Sequence, residues 1–175
     1  MKYAKIKYFD VANGPGVRTS LFVSGCNFGC KGCFNLEAQN FKYGELYTEQ
    51  TEKDILNSLS NTSIAGLSLL GGDPFGQNVT GVKLLTSLCR KAKEKYPNKN
   101  IWLWTGYTFE QLLDLYYKDC YIKMIFPFID VLVDGPFIES LKNLNLQWRG
   151  SSNQRIISFQ ESLLREWPIN PVGYY

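Results

Sequence analysis

The stretch Leu21–Asn35, LFVSGCNFGCKGCFN, passes from an apolar strand pattern straight into a glycine-rich loop carrying Cys26, Cys30 and Cys33. Three thiolates at C-x3-C-x2-C spacing can grip three corners of an iron–sulfur cube and leave the fourth iron without a protein ligand. An open iron is a place for chemistry, whereas a site closed by four thiolates serves electron storage or support. A structural zinc ion is the other reading, and it needs a fourth thiolate from Cys89 or Cys120. Zinc knuckles favour paired C-x2-C units, of which the chain has one. Cys89 falls on the apolar face of a helical pattern, which suits a buried inert thiol.

The rest of the composition narrows the chemistry. The chain of 175 residues has no histidine, which excludes Ser-His-Asp triads, Cys-His nucleophiles, HExxH zinc sites and Cys2His2 fingers. Any metal must be held by sulfur or oxygen. The length suggests one domain, residues 1–175, and the hydrophobic share of 45% is ordinary for a packed core. Net charge is only +3. Arg90, Lys91, Lys93 and Lys95 cluster on a helical pattern and read as a solvated face, so a nucleic-acid partner is not expected. Neither an apolar run long enough to span a membrane nor a signal core is present, and five cysteines fit a reducing cytoplasm better than a disulfide framework.

Working outward from the cysteine loop, apolar runs alternate with helical periodicity. A strand is expected over about Tyr3–Phe9, followed by the turn NGPG at Asn13–Gly16 and a strand over about Arg18–Ser24. Thr51 with Asp54 signals the start of a helix with Ile55, Leu56 and Leu59 on one face. Leu67–Leu70 read as a buried strand ending at Gly71. Asn78 caps a helix bearing Val82, Leu85, Cys89, Ala92 and Tyr96, and Pro97 ends it. IWLWTG, Ile101–Gly106, is a further strand, and Thr108 caps a helix with Phe109, Leu112, Leu113 and Tyr116. Lys118–Phe128 takes no clear assignment. VLVDG, Val131–Gly135, and QRIIS, Gln154–Ser158, are strands, and Ser158 with Glu161 forms a capping box before the last helix. Such alternation predicts an α/β fold with a mostly parallel sheet. A complete eight-fold barrel needs about 250 residues, so the expected form is an incomplete, open β/α barrel or a curved α/β sheet. Ligands of such sheets bind past the C-terminal strand ends. The cysteine loop, GGDP, TGY and DGPF all fall there.

The cysteine spacing after a first barrel strand resembles the radical S-adenosylmethionine superfamily. That resemblance implies a [4Fe–4S] cluster on Cys26, Cys30 and Cys33, whose open iron is chelated by S-adenosylmethionine. Gly71-Gly72-Asp73 looks like the superfamily's motif for the methionyl amino group, with glycine backbone approaching closely and Asp73 accepting from the amine. Many members place an aromatic residue before the third cysteine; here Gly32 stands there, so adenine contacts are expected from the Gly32 backbone and the Phe34 ring. Thr105, Tyr107 and Asp134 are expected to meet the ribose or carboxylate of the cofactor. The segments NGPGVR, GCNFGCKGCFN, LLGGDP, IWLWTGYTFE, VDGPF and WRGSSNQRII together resemble the activating-protein family of anaerobic ribonucleotide reductases, small glycyl-radical activases. The resemblance implies hydrogen abstraction from a glycine of the large reductase subunit by a 5′-deoxyadenosyl radical. A flavodoxin-like or ferredoxin-like protein would donate the electron. Asn13 and Arg18 are expected to line the path of the substrate glycine loop, and Arg149, Asn153 and Arg155 to dock the partner or contact the cofactor. Another small radical enzyme, with a different glycyl-radical partner or a small-molecule substrate, is the neighbouring alternative.

Overall fold

The computed structural model describes residues 1–118 and 120–171. One seven-stranded sheet organises the chain. Strands β1 (Lys2–Asp10), β2 (Val17–Val23), β3 (Glu45–Leu46), β4 (Ile64–Gly71), β5 (Asn100–Trp104), β6 (Val131–Asp134) and β7 (Arg155–Ser158) lie in the order β3-β1-β2-β4-β5-β6-β7. The inner four, β2, β4, β5 and β6, are parallel, while β1, β3 and β7 pair antiparallel at the flanks, so the sheet is open and mixed. The α/β class and the mostly parallel centre match the sequence expectation; the two-residue strand β3 gave no sequence signal.

Register explains the rim. Val23 is level with Gly71, Leu69 with Leu103, and Trp104 with Val133. The strands therefore stop together, and the cysteine loop, Gly71–Asp73, Thr105–Tyr107 and Asp134–Phe137 leave the sheet at one edge.

Side chains alternate along each strand. Leu21, Val23, Leu67, Leu69, Leu103 and Leu132 point to the helix-covered face. Helices α1 (Glu49–Ser58), α2 (Val79–Lys95), α3 (Phe109–Tyr117) and α4 (Phe159–Arg165) cover that face. The face of α2 that buries Val82, Leu85, Leu88, Cys89 and Ala92 follows the expected period, and each fully buried Leu or Val contributes about 1.5–3 kcal/mol. Cys89 is an inert packed thiol, and Cys120 also packs against this core. The other sheet face carries Trp102, Val131, Val133 and Ile156, against which Trp104 and Trp148 pack. Lys118–Phe128, apart from Asp119, which lies outside the described residues, ends α3 and forms a 3-10 run, Tyr121–Phe128, that buries Ile122, Ile125 and Phe126.

Caps follow the sequence at two helices and depart at two. Asn78 accepts from Gly81 N–H, and Thr108 forms a box with Gln111. At α1 the box is Thr48 with Thr51, so the helix starts earlier than Thr51 suggested; two short hydroxyls exchange bonds with each other's backbone N–H. At α4, Ser158 makes no side-chain cap. There the Asp130 carbonyl accepts from Phe159 N–H at 2.9 Å and fills the need. The four clustered basic side chains of α2 are engaged within the chain: Arg90 with Glu94, Lys91 with Glu52, Lys93 with Asp130, and Lys95 over the Tyr96 ring.

The expectation for Asn13 and Arg18 is corrected. β2 runs away from the NGPG turn toward the cysteines, so both residues sit at the opposite end of the sheet from the rim. Arg18 is 0% exposed. Its guanidinium donates to Ser68 Oγ at 2.7 Å, Asn100 Oδ1 at 2.7 Å and the Leu67 carbonyl at 2.9 Å, and lies 5.6 Å from the Trp102 ring centre. Asn13 donates to Asp10, and its carbonyl accepts from Ser68 Oγ. Arg18 is thus a buried tie across β2, β4 and β5. Arg18→Met is expected to lower the unfolding free energy of the metal-free chain by about 2–4 kcal/mol in urea, while iron uptake stays unchanged. Unchanged stability with weakened partner binding would restore the original role.

Candidate iron–sulfur and cofactor site

Each of the three cysteines follows a glycine held in the left-handed region: Gly25 at φ +108°, Gly29 at +60° and Gly32 at +72°. An L side chain rarely adopts that backbone, so glycine lets the loop reverse before every thiol. Gly25 also lies against the Phe41 ring, where an added Cβ would fall 2.1 Å from a ring carbon; next to Gly29 there is open space. All three thiols are free and half-buried. Burial pushes the Cys26 thiol up to about 11, and the charges of Asp73, Cys30 and Cys33 add to the rise. A metal must displace that proton to bind. Backbone N–H donors reach the loop as well, since Asn35 N–H donates to Cys33 Sγ at 3.4 Å.

Against this loop lies Gly71–Asp73, joined to it backbone to backbone. Gly72 N–H donates to the Val23 carbonyl at 2.7 Å, and Asp73 N–H to the Gly25 carbonyl at 2.8 Å. A Cβ on Gly72 would stand 2.4 Å from the Gly25 oxygen, so two glycines are what the close approach requires. The third rim loop follows through Asp73, which is 1% exposed. Its carboxylate accepts from Phe75 N–H at 2.8 Å, Gly76 N–H at 3.3 Å, Thr105 Oγ1 at 3.0 Å and Gly106 N–H at 3.0 Å. Burial pushes Asp73 up to about 6, and those four donors oppose the rise. Thr105 is spent on Asp73 and on Tyr107 N–H. Tyr107 packs edge-on to Phe28 at 5.0 Å, and Phe28 lies on the Gly106 backbone.

The fourth loop joins through Gly135 N–H, which donates to the Tyr107 carbonyl at 2.9 Å. Asp134, 1% exposed, accepts from Phe109 N–H at the start of α3 and from Arg155. Arg155 also forms a two-pronged bond with Glu110 at 2.8 Å. Beyond Asp134 the chain folds back over the cysteine loop. Phe34, 58% exposed, meets Phe137 at 5.2 Å with the Lys142 ammonium 4.9 Å from its ring, and Gly32 is flanked by Glu139, which pairs with Lys31 at 3.1 Å. Arg149 donates to the Gln154 carbonyl and Asn153 to the Pro136 carbonyl.

The four glycine-containing motifs therefore meet as one rim. The side chains of Thr105, Asp73 and Asp134 nevertheless point inward and hold the loops to one another. Sequence reading missed Phe28, Phe41, Glu139 and Gln77, whose buried amide spans two of the loops. Phe28 carried a usable signal, an aromatic residue inside the three-cysteine loop; Gln77 carried none beyond standing four residues after Asp73. Among the described residues no three Cys, Asp or Glu side chains gather closely enough for a single metal ion. Cys89 is buried in the core and Cys120 packs against it, and among the described residues neither gathers with the cysteine loop as the fourth thiolate of the zinc site read as an alternative.

The Arg155–Glu110 pair sets a pH expectation. Arg155 holds Glu110 down to about 2 from its ordinary 4.5. The ionised carboxylate is the form that favours the fold, so its contribution is complete above about 4.5 and is lost as pH falls toward 2. Glu110 is 59% exposed, and water screening reduces the expected contribution to about 0.5–1 kcal/mol. Urea unfolding of wild type and Glu110→Gln should differ by that amount at neutral pH and converge in acid.

This fold and site define a single-cluster iron–sulfur protein: a family model described as a 4Fe-4S single cluster domain matches residues 12–157. Three curated relatives, each named anaerobic ribonucleoside-triphosphate reductase-activating protein, are similar over nearly their whole length. That of Vibrio cholerae is 43% identical over 91% of this chain and 99% of its own. That of Enterobacteria phage T4 is 42% identical over 90% and 94%, and that of Escherichia coli K12 40% over 88% and 96%. The chain belongs to the family of anaerobic ribonucleoside-triphosphate reductase-activating proteins. No helix among the described residues is long and apolar enough to cross a membrane.

Proposed function

We propose that this chain is the activase of an anaerobic ribonucleotide reductase: a single-domain radical S-adenosylmethionine enzyme, built on an open β/α half-barrel, that installs a glycyl radical on the large subunit of the reductase. The observation that carries the reading is the backbone seam between the Cys26 loop and Gly71–Asp73, which seats a three-thiol loop beside a double glycine on one rim. Similarity of about 40% across nearly the whole length to proteins named for this activation favours it over a different glycyl-radical partner or a small-molecule substrate.

The donor set fits the cluster. The loop offers three free, half-buried thiols in a chain without histidine, with open space next to Gly29, and soft thiolates are the ligands of iron–sulfur centres. Cys26, Cys30 and Cys33 would hold three irons and leave the fourth to the amino and carboxylate groups of S-adenosylmethionine. When bound, the cluster supplies the electron that splits a carbon–sulfur bond of that cofactor, so that a 5′-deoxyadenosyl radical can take a hydrogen from the target glycine.

The chain's own residues do the positioning. Gly71 and Gly72 present backbone to the methionyl amine. Asp73, turned inward, acts on the amine through the loop that it holds, and Thr105 and Asp134 serve the cofactor in the same indirect way. Phe41 packs against Gly25, and Phe28 against Gly106 and the Tyr107 ring, which puts apolar surface beside the seam. Gly32 and Phe34 flank the adenine side. Arg149 Nε and Asn153 Oδ1 are buried without a partner, which supports a contact from the cofactor or the docked subunit on this segment; Arg155 steadies it through Asp134. A flavodoxin-like or ferredoxin-like protein of the cytoplasm would supply the electron.

The test is anaerobic reconstitution. The expected product is a brown protein with about four irons per chain that releases 5′-deoxyadenosine when reduced with S-adenosylmethionine. With the large reductase subunit added, a glycyl radical should appear by electron paramagnetic resonance. A colourless zinc protein, or a radical on another partner but none on the reductase, would overturn the proposal.

A further inference from the structure

One buried side chain spans the seam. Gln77 is 4% exposed, in the turn between the double glycine and the start of α2. Its Nε2 amide donates to the Ser24 carbonyl at 3.1 Å, the Gly25 carbonyl at 3.4 Å and the Asp73 carbonyl at 3.1 Å. Two of these oxygens lie immediately before Cys26, and the third belongs to the loop assigned to the methionyl amine. The backbone of Gln77 is held in turn, because Tyr121 Oη, at the head of the 3-10 run Tyr121–Phe128, donates to its carbonyl at 2.9 Å.

We propose that Gln77 is a positioning residue that sets the cofactor loop against the cluster loop, and that Tyr121 fixes Gln77 in that task. The inference rests on the function proposed above. The chemistry of the group matches the need, since a primary amide offers two N–H donors to a cradle of three carbonyl oxygens and no charge. Glutamate has the same size and shape but would turn acceptor oxygen toward acceptor oxygen. A thiolate-anchored cluster is held by its own iron–sulfur bonds and does not need the clamp to stay in the loop. What the clamp governs is the register between cluster and cofactor, and a misplacement of about 1 Å in a reacting pair lowers rate by about a hundredfold.

Gln77→Glu is the direct test, read in three ways. In the metal-free chain, the amide protons of Gly72 and Asp73 should exchange faster by at least about tenfold, because the seam they close is no longer clamped. In the reconstituted protein, iron content should match wild type, while the change that S-adenosylmethionine makes in the paramagnetic resonance spectrum of the reduced cluster is diminished. Cleavage of S-adenosylmethionine should fall by about ten- to a hundredfold in kcat, with KM shifted less. Gln77→Glu with wild-type exchange, spectrum and cleavage overturns the inference, and so does loss of iron in proportion to loss of cleavage, which marks a merely structural side chain. Should Gln77→Glu fail to fold, Tyr121→Phe decides. It keeps the ring and removes one bond, so kcat should fall severalfold with full iron, and an unchanged kcat overturns the proposal. If wild type itself releases no 5′-deoxyadenosine, the proposed function has failed rather than the clamp.

Discussion

A chain carrying Cys30→Ala is expected to fold and to take up almost no iron. Cys30 is half-buried in the loop beyond the rim, preceded by Gly29, which faces open space. Removing its sulfur leaves the core untouched, so the unfolding free energy of the metal-free chain should change by no more than about 0.5 kcal/mol. Iron content is another matter. A cube held at three corners loses a third of its protein ligands and becomes exposed to solvent on two sides. Cys26→Ala and Cys33→Ala should act alike, and none of the three should release 5′-deoxyadenosine. The double variant Cys89→Ala, Cys120→Ala supplies the contrast: both thiols pack in or against the core, so it should lose about 1–2 kcal/mol of stability and keep its iron. Iron retained by Cys30→Ala, or lost by the double variant, would mean that the wrong sulfurs have been assigned.

Asp73→Ala should be the most damaging single change at the rim, and damaging before any cofactor is added. Four donors from Phe75, Gly76, Thr105 and Gly106 end on this carboxylate. Truncation leaves them buried and unpaired, at about 1–3 kcal/mol for each group that water cannot reach; with local relaxation, a loss of about 3–5 kcal/mol in the metal-free chain is expected. Asp73→Asn keeps one acceptor oxygen but sets an amide N–H₂ against backbone N–H groups, so it should lose roughly half as much. Urea unfolding measures both. If Asp73 served only as an outward acceptor for the cofactor amine, Asp73→Asn would keep full stability and lose only cofactor affinity.

That contrast marks what one-dimensional reading can and cannot reach. The double glycine at 71–72 and the glycine before every cysteine are visible as letters, because positive φ and close backbone approach admit almost nothing else. The inner strands were legible as short, largely apolar runs, with Arg18, Thr19, Ser20 and Ser68 as their buried polar exceptions, and the alternation of strand and helix then sets which ends carry loops. The direction in which a polar side chain turns at a strand end is not legible in the same way. Asp73, Thr105 and Asp134 lie at the rim as expected, but whether they faced a ligand or the neighbouring loop depended on hydrogen-bond partners 33, 32 and 25 positions away. Arg18 was expected on the path of the substrate glycine loop for the same reason. Its acceptors Ser68 and Asn100 lie 50 and 82 residues along the chain, and only pairing of β2 with β4 and β5 brings them to it.

Local chemistry therefore determined the glycine-rich cysteine loop, the helix and strand periods and the class of fold, since each depends on residues within one turn or one strand of each other. Tertiary structure alone decided that the flanking strands run antiparallel, that Arg18 and Asn13 belong to the far end of the sheet, and that Gln77 bridges the two loops. Each of these is settled by hydrogen bonds between groups far apart in the chain, and such bonds come into being only when the sheet has assembled in register.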